Sequence, residues 1–157
     1  NTLFYLKHLD KMNTGYLDQK IASLLPAGAE ANCHGTALYL AGALKAEKAL
    51  DADEAQVILK RSFTEISQPQ AGAIVVFEYF SAFSDGSNQQ WYLEHMGFLP
   101  HNDPAKMIHR LGYLDKIEQV PLSSYLKTSF FALPRNLHSD RFVDNPVRIT
   151  YHARKTA

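Results

Sequence analysis

Cysteine is almost absent from this sequence: Cys33 is the only thiol in 157 residues. A single cysteine excludes an internal disulfide framework and a multi-cysteine zinc cage. An excess of charge of either sign is also missing. Sixteen Lys and Arg match 16 Asp and Glu, for a formal net charge of zero, which leaves no electrostatic footprint for DNA or RNA. No apolar run is long enough to span a membrane. There is no internal repeat, no low-complexity tract, no phosphate-cradling glycine loop and no acidic metal cluster. What is present is an ordinary apolar fraction, 46%, in a chain long enough for one domain with a real core.

The local patterns place helices first. Leu3, Leu6 and Leu9, then Ile21, Leu24 and Leu25, recur at helical spacing until Pro26 and Gly28 break it. Asn32 is a good N-cap, and a helix is expected from His34 to about Lys48. Ala37 to Leu44 is apolar nearly all the way round, the mark of a buried helix. Gly42 reads as an interior residue that weakens the helix but permits close backbone approach. Asp51 and Asp53 signal a second helix start with "EAQVILKRSF" as its body. "SQPQAG" breaks the chain.

Three strands are then expected, "AIVVFEYF", "WYLEHMGFL" and "AKMIHRL", with "SDGSN" turning the chain between the first two. "PLSSYLKTS" reads as a short helix and "FFALP" as a last strand. Beyond Arg135 no element is legible. Helices followed by an antiparallel sheet make an α+β pattern rather than a doubly wound one. Residues 1–135 then form the folded domain, including the N-terminal helical segment, and 136–157 a tail.

Counting fixes an expected register for the second and third strands. Proline at positions 100 and 104 excludes both ends of "PHNDP" from ladder pairing, leaving a five-residue hairpin loop. If Leu99 and Ala105 close the ladder, Gly97 faces Met107 and His95 faces His109. Alternation puts His95 on a face with Leu93 and Leu99, and both imidazoles toward the buried helix.

A thiol at the start of a helix, with an imidazole nearby, is favoured as thiolate. A Cys–His pair supplies a nucleophile and a proton carrier for acyl transfer, and a third polar group holds the imidazole in its working tautomer. Cys33, His95 and His109 fit those roles in that order. The Cys33 backbone N–H, free at the helix start, can help hold an oxyanion. Two other readings of the same residues stand beside this one: a zinc site with a water in the fourth position, and a non-catalytic binding module. The remaining histidines, His8, His101, His138 and His152, read as surface, His34 as a solvent-side or structural helix residue, and Trp91 as packing.

The order of these segments resembles the NlpC/P60 family of papain-like cysteine peptidases. A cysteine begins a buried helix, and "AGAIVVF", "HMGFL" and "MIHRL" then resemble the family's three strands, the last two supplying His95 and His109. "FFALPR" is similar to its closing strand. The likeness covers about Ala31 to Arg135, and CHAP amidases share its Cys–His order. Three positions depart from the family. Asn32-Cys33-His34-Gly35 replaces the usual Asp-Cys-Ser-Gly, and Ala73 stands where an acidic residue is usual. The resemblance implies a papain-like fold, a Cys33–His95–His109 triad and no cofactor. It also implies a peptide or peptidoglycan-like substrate and export to the bacterial envelope or medium.

Overall fold

The computed structural model describes residues 19–24, 26, 30–81, 89–101, 103–111, 116–125 and 147–155. The expected helical pattern around Leu3 to Leu9, the "SDGSN" turn and the "FFALP" strand lie outside the described residues.

Helix α1 runs Cys33–Leu40. It begins where the sequence indicates, because the Asn32 side chain accepts the Gly35 N–H at 3.0 Å and satisfies an otherwise orphan donor. It ends well short of Lys48. Gly42 adopts φ +84°, a left-handed conformation available to a residue without Cβ. Its N–H donates to Tyr39 O at 3.0 Å, and Ala43 N–H reaches back to Leu38 O at 2.9 Å. This paired closure is a helix-terminating turn, so Gly42 is a stop signal and not an interior residue. Helix α2, Ala52–Ser62, is capped by Asp51 in a reciprocal box with Glu54.

The strands are β1 (Phe63–Ile66), β2 (Ile74–Ser81), β3 (Gln90–Phe98), β4 (Lys106–Arg110), β5 (Ile117–Pro121) and β6 (Val147–Arg154), with a short helix α3 (Leu122–Tyr125) after β5. They form one antiparallel sheet in the order β1-β6-β2-β3-β4-β5. The architecture is α+β, as expected. β6 comes from the segment after Arg135 and lies inside the sheet, between β1 and β2. Among the described residues no helix is long and apolar enough to cross a membrane.

Both faces of the sheet are apolar, and burying that surface drives the packing. On one face, Ala37 and Leu38 of α1 and Ala55 and Leu59 of α2 meet Ile74, Val76, Leu93 and Met96. Leu40 meets Phe98 and Ile108 on the same side. On the other face, Val75, Phe77, Leu99 and Met107 pack with Leu122.

Two expectations about the hairpin fail. First, β3 and β4 pair at Phe98↔Ile108, where counting put Phe98 opposite Lys106. Leu99 and Ala105 cannot close the ladder because each has another partner. Leu99 exchanges backbone hydrogen bonds with Ala73 and Gly72, at 2.9 and 2.8 Å, and the Ala105 carbonyl accepts from Leu122 N–H at 2.8 Å. The shift is two residues, so His109 stays on the face of His95 but becomes its diagonal neighbour. Second, that face is not the helix face. Met96, Phe98 and Ile108 point to α1, so alternation turns His95 and His109 to the opposite side, where the Phe77 ring lies 5.7 Å from His95. A bulge also intervenes. Phe77 pairs with His95, but Glu78 pairs with Leu93, leaving Glu94 as the extra residue. Leu93 is thereby carried to the helix face.

Candidate active site

The four residues Asn32 to Gly35 build one end of the site. Asn32 does more than cap α1. Its Nδ2 donates to Leu50 O at 2.6 Å, and its Oδ1 accepts from Leu50 N–H at 3.2 Å. His34 is buried, contrary to expectation, with Nδ1 3.2 Å from Leu50 O. That contact puts the proton on Nδ1. Gly35 lies directly against the Lys48 carbonyl. Residues 48–50 therefore form a strap across the first turn of α1, and the "NCHG" sequence is shaped to hold it.

Cys33, the first residue of α1, is a free, buried thiol. A backbone hydrogen bond links it to Met96, the residue after His95, and others come from His34 and its own amide. The nucleophile candidate thus touches the β3 backbone from the helix side, whereas the His95 ring lies on the other face of the sheet, so the fold brings His95 to His109 but not to Cys33. The hydrogen bonds favour the thiolate, but burial outweighs them and raises the Cys33 pKa to about 11. The expectation of a thiolate at neutral pH is overturned here: a helix N-terminus lowers a thiol pKa only where the charge stays solvated or paired.

His95 and His109 meet. Nε2 of His95 lies 2.8 Å from Nδ1 of His109, with the rings at 84°. Burial lowers both pKa values, that of His95 well below 6.5, and for His95 the neighbouring His109 adds to it. Both imidazoles are therefore neutral at pH 7. His109 also faces Glu118 across the β4–β5 ladder, with Nε2 3.8 Å from the carboxylate. Glu118 favours the proton on Nε2 of His109, which makes Nδ1 the acceptor. His95 then donates from Nε2, and its Nδ1 carries the lone pair. The sequence reading missed Glu118 because "IEQVP" carries no clear strand signal before its partner is known.

A second cluster that reading missed lies on the helix side. Arg110 donates from Nε and Nη2 to the Glu47 carboxylate at 3.0 Å each, and from Nε to Thr36 Oγ1 at 3.1 Å. The Thr36 hydroxyl in turn donates to Glu47. The residue after His109 is thus tied to α1 and to the loop behind it.

The three candidate residues are closed in: Cys33 is 7%, His95 3% and His109 1% exposed. Surface pockets of about 350, 400 and 470 Å³ exist, but none is lined by these residues. Among the described residues no group of three or more His, Cys, Asp or Glu side chains converges to hold a metal ion. The imidazole nitrogens that would bind zinc face each other instead.

The thiol pKa gives a direct expectation. Three pH units below a pKa of about 11, roughly one thiol in a thousand is ionised. Iodoacetamide should therefore alkylate Cys33 slowly at pH 8, with the rate still climbing about tenfold per pH unit between 8 and 10. A plateau reached below pH 8 would contradict the buried, neutral thiol.

Compared with family models, curated proteins and solved structures, the chain matches none of them.

Proposed function

We propose that this protein is a cysteine-dependent amide hydrolase that uses Cys33, His95 and His109 and acts on cell-wall peptides of the bacterial envelope. The observation that carries the reading is the 2.8 Å contact between His95 Nε2 and His109 Nδ1, on a strand whose next residue hydrogen-bonds the only thiol. His109 orients and polarises His95, and Glu118 fixes the tautomer of His109.

Because all three groups start neutral, the chemistry runs by general-base catalysis and not from a preformed ion pair. Cys33 Sγ attacks the carbonyl carbon and its proton passes to Nδ1 of His95; because the His95 ring lies on the sheet face away from α1, this step requires the β3 segment between them to rearrange when substrate binds. The oxyanion takes the backbone N–H of Cys33. The imidazolium returns the proton to the leaving nitrogen, the C–N bond breaks, and a thioester remains on Cys33. Water then attacks the thioester, giving its proton to His95, and the acid is released as the thiol re-forms. His95 must be neutral to begin, and burial holds its pKa well below 6.5. The acid limb of kcat/KM accordingly falls below pH 6.5.

The test is hydrolysis of a library of cell-wall peptides followed by mass spectrometry of the protein. Expected are turnover by the wild type, an acyl adduct on Cys33, and loss of both in Cys33→Ala with an unchanged circular dichroism spectrum. Full activity in Cys33→Ala ends the proposal.

The near-complete burial of the three residues favours a second reading, a papain-like module that binds peptides without cleaving them. It gives saturable peptide binding with no adduct and no turnover.

A further inference from the structure

We infer that the pocket at the C-terminal end of α1 binds a small organic anion, an oxyanion head group on an apolar body. The pocket encloses about 350 Å³, within the range of small-molecule sites. Leu40 and Phe98 supply apolar wall, and its ionisable or amide side chains are Lys20, Gln70, His101 and Arg154. No Asp or Glu lines it among the described residues, although the chain as a whole has as many acids as bases.

The donors are placed by the backbone. Gly42 and Gly72 both adopt φ +84°. A Cβ on Gly42 would lie 3.5 Å from Arg154 Nη1, and one on Gly72 only 2.8 Å from His101 Nε2. Each glycine therefore leaves room for a donor side chain to lie flat against the chain at the pocket. The Arg154 side chain has no hydrogen-bond or carboxylate partner among the described residues; its guanidinium lies over the Phe63 ring, 5.7 Å away. An unpaired guanidinium fork beside an acid-free cavity matches the planar oxygens of a carboxylate or phosphate.

One feature opposes an anion, the negative end of the α1 dipole. Lys20 counters it, with Nζ donating to Tyr39 O at 2.7 Å in the last turn. The apolar wall then selects an organic anion over an inorganic one. Leu40 is seven residues from Cys33, about 10 Å along the helix, so the inference does not depend on the proposed chemistry at Cys33.

Calorimetric titration of the whole chain with benzoate, phenyl phosphate and the neutral amide benzamide tests it. At least one of the anions should bind saturably and at least tenfold more tightly than benzamide, because a hydrogen bond to a charged group is stronger than one to a neutral amide; the tighter of the two identifies the head group. Arg154→Gln should weaken that anion at least tenfold and leave benzamide unchanged. Arg154 is exposed, so this variant folds, and His101→Gln gives an independent second variant with a smaller loss. Equal affinity for benzamide, no saturable binding of either anion, or unchanged anion affinity in Arg154→Gln would overturn the inference.

Discussion

Replacing Arg110 with methionine is expected to lower folding stability by roughly 3–5 kcal/mol, the cost of leaving a buried charge without its partner. Arg110 and Glu47 are almost fully buried, 1% and 2% exposed at the side chain. Two N–H groups of the guanidinium meet both carboxylate oxygens, and Thr36 completes the cluster. In Arg110→Met, Glu47 keeps the Thr36 hydroxyl but loses its counter-charge in a poorly solvated place. The double variant Arg110→Met/Glu47→Leu should recover most of the loss, because well-packed apolar groups often replace a buried ion pair at little cost. Urea unfolding of the single and double variants measures both. A single-variant loss below about 1 kcal/mol would mean that the cluster is wet and weak. The consequence reaches the candidate site, because Arg110 anchors β4 to α1 at the residue next to His109. In the single variant His109 loses its fixed position under His95. Any hydrolytic activity should then fall more than the unfolded fraction alone explains.

Local chemistry was legible in the sequence, and pairing between distant segments was not. Asn32 and Asp51 cap their helices as read, because a cap is decided within three residues. Gly42 was misread because a glycine inside an apolar run looks the same whether it weakens a helix or ends it. β1 follows α2 without a break and acquires its meaning only from β6, which is about ninety residues away in the chain. β6 itself alternates, with Val147, Ile149 and Tyr151 against Arg148, Thr150 and His152, but its polar half hides it until β2 pairs with it.

The candidate site shows the same division. His95 and His109 were picked as partners, and they do meet, because a two-residue register shift preserves the face. Their direct opposition failed, since Leu99 and Ala105 bond elsewhere. Their approach to the helix face failed too, since face depends on which side of the sheet α1 covers. The tie between Glu47 and Arg110 bridges 63 positions and leaves no local trace.

Gly35→Ala separates propensity from packing with opposite signs. In a helix interior, alanine in place of glycine normally stabilises by about 1 kcal/mol. Here a Cβ would overlap the carbonyl oxygen of Lys48, which is backbone and cannot rotate aside. The strap is held on both sides of that point. Asn32 grips Leu50 by two hydrogen bonds, and His34 holds the same carbonyl. To admit one methyl group, residues 48–50 must lift from α1, and those bonds must stretch or break together. The expected loss is about 3 kcal/mol or more, at or beyond the upper range for overpacking. Denaturant unfolding gives the sign directly, and a stabilised Gly35→Ala would refute the strap. The same displacement should uncover the neighbouring thiol. In the folded population of Gly35→Ala, Cys33 alkylation at pH 8 should rise several-fold, because burial is what holds that thiol neutral. The residues that make the cysteine segment unlike its family resemblance, Asn32 and His34, are the two that grip the strap, so the strap and the closed thiol are one device.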